Sequence, residues 1–201
     1  NDFESCSILG MGITPSIASL RSANFVHKPF VEGEDLEEVE VGPGTFDWVP
    51  YYMIPRYVSM AAVATEDLDF FEHQGFKVSL IRRAMKLNLD RKRYVYGGST
   101  ISQQLVKNLF LSREKNLSRK LEEALITWQM EREISKERIL ELYLNCIEYA
   151  PGVYGIAQAS RHYFGKPAMH LSPLEGAFLM GLKPCPTCGE RQWRRKGVNL
   201  R

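Results

Sequence analysis

From Tyr57 to Leu182 the apolar residues recur at helical spacing. The pattern breaks only briefly, at Gly75, Gly97-Gly98, Pro151-Gly152 and Gly165-Lys166-Pro167, with Pro184 just beyond. Punctuation this sparse leaves little room for strands, so a mainly α fold is expected. The clearest helix start is "LSPLEGAFLMGL", where Ser172 at N-cap, Pro173 at N1 and Glu175 at N3 make a capping box. Ser135 can cap "KERILELYLN" in the same way. A chain of 201 residues, 44% of them hydrophobic, suffices for one domain with a sizeable core. The acidic "EGEDLEEVE" and the turn-rich "VGPGTFDWVP" mark residues 1–46 as a lead-in, with the main domain starting near Asp47. No run approaches the eighteen or so apolar residues of a membrane span, and "NDFES" lacks the basic start of a signal peptide. Any anchor is therefore expected outside this chain. Cys185 and Cys188 form a single Cys-x-x-Cys without the second pair of a zinc site, so free or loosely paired thiols are expected there.

Three segments hold more polar chemistry than helix building needs. In "AAVATEDLDFFEHQG", read as a helix, Ser59, Ala62, Glu66, Phe70 and His73 share a stripe that resembles the wall of a site. Met60, Ala64, Leu68 and Phe71, opposite, are expected to be core. In "GGSTISQQLVKNLFL", Thr100, Gln103, Gln104 and Lys107 form a ridge of amides and one ammonium, suited to sugar hydroxyls and phosphate oxygens. An ordinary exposed helix face is the competing reading. In "NLSRKLEEALITWQMEREIS", Leu121, Ala124, Leu125 and Trp128 are expected to be core, and Glu123 projects from the far side beside Ile126 and Met130. A surface ion pair with Arg119 is the simpler account of Glu123, but a carboxylate among apolar residues on a second face suits a cleft.

A net charge of only +2 means that any cationic surface must come from local clustering. Residues 76–96 supply it: Lys77, Arg82, Arg83, Lys86, Arg91, Lys92 and Arg93 alternate with apolar residues, and Asp90 alone opposes them. A basic amphipathic segment of this kind suits the headgroup zone of a membrane. Nucleic acid is not the expected partner, because aromatic interleaving is confined to Tyr94 and Tyr96.

"EDLDFFEHQG", "GGSTISQQLVKN", "RKLEE", "KERILELYLN" and "GVYGIAQASRHYFGK" resemble, in order and spacing, the five motifs of the peptidoglycan glycosyltransferases. These are the glycan polymerase domains of class A penicillin-binding proteins and the monofunctional transglycosylases. The resemblance covers residues 47–184 and leaves 185–201 as a basic tail. It implies a lysozyme-like helical domain at the extracytoplasmic face of the bacterial cytoplasmic membrane. The implied partners are lipid II and the polyprenyl-linked growing chain. Glu66 matches the general base that takes the proton from the acceptor 4-hydroxyl. Glu123 matches a second carboxylate near the donor pyrophosphate, where it would hold a divalent cation, Mg2+ being the expected one, or orient cationic side chains.

Lys107, Arg119 and Lys120 match the positions that meet the leaving group's charge. Ser99, Thr100, Gln103, Gln104 and Asn108 would position sugar and phosphate. Asp67 and His73, with Phe70 beside them, would hold helix and loop in shape. Glu141 and Asn145 would bond to backbone near the cleft, while His162 is expected to have no catalytic part. Two alternatives remain. Paired carboxylates on such a scaffold also suit a glycan-cleaving hydrolase or lytic enzyme, and a catalytically idle lipid II-binding module would need the same surface.

Overall fold

Pro55 opens the first long helix, which runs to Glu66 and stops because Asp67 leaves helical geometry, at φ −160° and ψ 72°. The structure is a computed structural model and describes residues 17–27, 39–77, 98–111, 117–182 and 186–196. Among these, the helices in chain order are α1 (Arg56–Glu66), α2 (Ile101–Phe110), α3 (Leu117–Glu133), α4 (Lys136–Cys146), α5 (Gly155–Phe164), α6 (Pro173–Leu182) and α7 (Pro186–Lys196). Among the described residues, strands are confined to two antiparallel ribbons, β1 (Phe25–His27) with β2 (Val39–Val41) and β3 (Glu148–Ala150) with β4 (Val153–Tyr154). The mainly helical expectation holds, in keeping with a lysozyme-like domain. The expected membrane segment, residues 76–96, lies from residue 78 onward outside the described residues.

α2 lies at the centre, packed against both α3 and α4. α1 packs on α6, α4 on α5, and α7 on α6 and β3. Leu105 and Val106 of α2 meet the buried Ile139, Leu140, Leu142 and Tyr143 of α4 in one continuous core. Each such side chain contributes about 1.5 to 3 kcal/mol on leaving water. Leu20 and Phe25 of the lead-in, and Trp48 just after it, belong to the same core. Asn145 fixes the start of the main domain through both backbone polar groups of Val49, accepting its N–H and donating to its carbonyl, each at 2.9 Å. Glu141 accepts from the Trp48 indole at 2.8 Å. Gly155, at φ +76°, sits where a Cβ would lie 2.5 Å from the Asn145 carbonyl oxygen, so only glycine allows α5 to start there.

Two helix faces are the reverse of those expected. On α1, Ser59, Ala62 and Val63 are buried, whereas Met60 and, beyond the helix, Leu68 and Phe71 are exposed. Phe70 is fully buried, so it is core and not the wall of a site. It packs edge-on to Phe71 and His73 and lies under the Lys136 ammonium at 4.5 Å. On α3, Leu121, Leu125 and Trp128 are 62, 68 and 52% exposed, while Glu123, Thr127 and Met130 are buried. The inversion has a physical reason. Buried Glu123 and Thr127 find charge and hydrogen-bond partners, so polarity does not drive that face outward. The expected caps do form: Ser135 accepts from the Arg138 N–H, and Ser172 and Glu175 exchange the two bonds of a capping box.

Candidate active site

The first functional segment is the turn that follows α1. Asp67 is buried, and its carboxylate accepts from His73 Nε2 at 3.0 Å, from Lys77 Nζ at 2.8 Å and from the Ile101 N–H at 3.0 Å. Burial alone would raise its pKa, but these three donors outweigh it and hold the carboxyl below its usual range. The Ile101 bond places the carboxylate at the N-terminus of α2, where the helix dipole favours a negative charge. His73 Nδ1 accepts from the Gly75 N–H at 3.0 Å, which leaves Nε2 to donate to Asp67. Lys77 also pairs with Asp69 at 2.9 Å. Assigned above to a membrane-facing stripe, Lys77 is therefore buried in the site's support.

α2 begins on this turn. The Thr100 hydroxyl donates to the Gly75 carbonyl at 2.7 Å and accepts from the Gln103 N–H, while Gln103 Oε1 accepts from the Thr100 N–H. Thr100 and Gln103, expected on a substrate-facing ridge, are buried and form a reciprocal cap. The expected ridge is thus split. Gln104, Lys107 and Asn108 keep its outward side, with Gln104 half-buried and the other two exposed. Ser99 is half-buried, and its carbonyl lies 3.5 Å from Gln104 Nε2.

Glu66 stands half-buried at the end of α1 and accepts from Gln104 Nε2 at 2.8 Å. The other end of the amide, Gln104 Oε1, faces the Tyr143 hydroxyl at 3.5 Å. With one donor and one carboxylate on either side, the amide has only one sensible orientation. Tyr143 was legible in the sequence only as a core residue. Burial, then the charge of Glu66, pushes its hydroxyl well above the ordinary tyrosine range, so it stays a neutral donor.

Glu123 lies on α3, the next helix against α2. Its carboxylate pairs with Arg119 at 3.1 Å and with Lys120, and Thr127 donates to its backbone carbonyl at 2.6 Å. Arg119 and Lys120 are thus gathered around a buried negative charge at the start of α3. The same helix is tied to the α1 turn through Gly75. A Cβ at that glycine, whose φ is +85°, would lie 2.9 Å from Thr127 and 3.0 Å from Glu131. Glu131 in turn accepts from Ser102 of α2 and from Lys136. One short turn therefore sets the mutual positions of α1, α2 and α3. Asp67 and His73 hold the loop in place; His162 pairs with Glu190 at 3.2 Å, away from these groups.

Whether Glu123 fits a cation can be tested on its donors. Both its oxygens are engaged by Arg119 and Lys120, and among the described residues no three His, Cys, Asp or Glu side chains gather into a metal site. Among the described residues, Glu123 therefore has no set of acidic or imidazole groups beside it with which to complete a divalent-ion site.

The family model described as Transglycosylase matches residues 32–198. The biosynthetic peptidoglycan transglycosylase of Nitrosomonas eutropha is 53% identical over 135 residues, which cover 67% of this chain and 55% of that protein. The proteins of the same description from Ralstonia nicotianae and Dechloromonas aromatica are each 46% identical, over 72 and 75% of this chain and 62 and 65% of theirs. The chain thus spans between 55 and 65% of the length of these relatives.

Proposed function

The chain belongs to the transglycosylase family, and we propose that it is a peptidoglycan glycosyltransferase, which joins lipid-linked disaccharide units into glycan strands for the cell wall. The observation that carries this reading is the Glu66 carboxylate, oriented by the Gln104 amide and still reachable from outside. In the proposed reaction the acceptor sugar's 4-hydroxyl oxygen forms a bond to the donor's anomeric carbon. The bond from that carbon to the pyrophosphate oxygen breaks with inversion, and Glu66 takes the hydroxyl proton. The polyprenyl pyrophosphate leaves with the electron pair.

Gln104 orients the base by donating to one of its carboxylate oxygens at 2.8 Å. Arg119, Lys120 and the exposed Lys107 are the cations on α2 and α3 that suit the leaving group's growing charge. Glu123 keeps the first two together without approaching the reacting carbon itself. A divalent cation, Mg2+ in the simplest case, would have to draw most of its oxygen ligands from the pyrophosphate, because Glu123 is already paired. Rate measurements with and without added Mg2+ decide its part.

The substrate's lipid requires a membrane surface, on the outer side of the cytoplasmic membrane. No helix among the described residues is long and apolar enough to cross a bilayer. The basic pattern of residues 78–96 supports contact with anionic headgroups. Cys188, expected as a free or loosely paired thiol, is instead disulfide-bonded, which suits an oxidising compartment.

Incubation with lipid II is the decisive experiment. Wild-type protein should build chains, and Glu66→Gln, which keeps shape and loses basicity, should lose about 10²-fold or more in rate while still binding precursor. Near wild-type polymerisation by Glu66→Gln would remove the assigned base. Shortening of finished glycan by the wild type, without chain growth from lipid II, would favour the hydrolase.

A further inference from the structure

At the opposite end of α1 from Glu66 lies an open groove of about 860 Å³. Tyr51, Tyr52, Met53, Arg56, Tyr57 and Met169 line it. Tyr52 is 85% exposed, and Met53, Tyr57 and Met169 are 40, 41 and 48% exposed. The rings are preset: Tyr51–Met53 is a 3-10 turn between Pro50 and Pro55, and the Tyr57 hydroxyl donates to the Leu171 carbonyl. No acidic side chain lines the groove among the described residues, and Arg56 has no ion-pair partner among them. Aromatic surface gathered around an unpaired cation is more than a solvated face requires.

The chemistry selects the occupant. Tyrosine rings offer flat apolar faces with hydroxyl rims, which match the C–H faces and hydroxyl edges of pyranose rings. A guanidinium adds two parallel donors for a carboxylate. Ser59, which also lines the groove, and Glu66 lie on the same side of α1, two turns or about 10 Å apart. Resting on the function proposed above, we propose that this groove binds the already polymerised, carboxylate-bearing part of a glycan strand, at a site separate from the one where Glu66 acts. It deepens that function by giving the enzyme a hold on its product.

The test uses soluble, lipid-free glycan oligomers that carry their stem peptides, titrated into the protein by calorimetry. Tyr52→Ala combined with Arg56→Ala should weaken binding about tenfold or more. Tyr52→Phe should retain it, and Glu66→Gln should bind as the wild type does. Removing the peptides' carboxylates should erase the difference that Arg56→Ala makes. Unaltered melting of the variants establishes that the fold is intact. Equal affinity of wild type and double variant would overturn the proposal, as would displacement of the oligomers by a proline-rich peptide, the other natural ligand of tyrosine grooves. Failure to polymerise lipid II with normal oligomer binding would instead sink the proposed function and leave the groove standing.

Discussion

Asp67 and His27 contribute to the acid response of the protein in two separate pH ranges. Asp67 is held below its usual range because its donors outweigh the effect of burial. The unfolded chain takes up that proton first as pH falls, so the contribution is complete above about pH 3.9 and is lost below it. Glu175 and Glu190, also held low by their partners against burial, act in the same window. Burial lowers His27 to about 4. Between about 6.5 and 4 the unfolded histidine is protonated and the folded one is not, so stability falls as pH drops through that interval, by about 3 kcal/mol. Urea denaturation at stepped pH should show both losses. His27→Leu should flatten the upper one alone. Asp67→Asn should flatten part of the lower one and cost about 3 kcal/mol at neutral pH, because it strips buried Lys77 of a partner. The turn after Glu66 was legible as more than helix building needs, because carboxylates, two phenylalanines and a histidine crowd into it. Lys77 was not, since nothing in a run of alternating cations marks the one that turns inward.

α2 carries the next level of control, because its first turn is where the α1 turn is joined. Thr100 satisfies the Gln103 N–H and holds the Gly75 carbonyl, so its hydroxyl fixes both the start of the helix and the loop in front of it. Thr100→Ala should cost about 1 to 2 kcal/mol of stability. It should also lower kcat by more than the loss of folded protein explains, because Gln104, one turn into α2, would no longer hold Glu66 in register. Thr100→Ser should restore both, and comparing melting temperature with kcat and KM across the pair checks this. The motif Thr100-Ile-Ser-Gln103 has the spacing of a capping box and was readable as one. Taken as a sugar-binding ridge, it hid that use. α3 was misread for a related reason. Periodicity locates a stripe, but it cannot tell which of two stripes faces inward when the polar one has partners waiting in the neighbouring helices. The positions of most helices and the caps at Ser135 and Ser172 were legible because they depend on neighbours along the chain. The inward face of α3 and the partners of Gln104 depend on residues far away in sequence.

Both outer segments of the described chain close onto the central helices. On one side Arg138 donates to the Leu20 carbonyl at 2.8 Å and stacks on Trp48 at 4.8 Å. On the other, Trp193 of α7 meets Tyr163 and Phe178, each at 5.3 Å between ring centres. Buried Glu190 accepts from Tyr163 at 2.9 Å and from Arg194 at 2.6 Å. α7 therefore seals α5 and α6 with an aromatic cluster whose polar rim is satisfied. Aromatic pairs of this kind add about 0.5 to 1.5 kcal/mol beyond their buried area. Because α6 also packs on α1, losing the cluster should loosen the helix that ends in Glu66, although Trp193 itself lies far from it along the chain. Trp193→Ala should cost about 3 kcal/mol, which for a domain of this size lowers Tm by roughly 6 to 12 °C. Trp193→Phe should recover most of that loss. A scanning calorimetry trace in which Trp193→Ala melts with the wild type would mean that α7 is not coupled to the rest. An early, separate transition would mean that it unfolds on its own. A single shifted transition is the outcome expected of a domain in which α7, α6 and α1 melt as one unit.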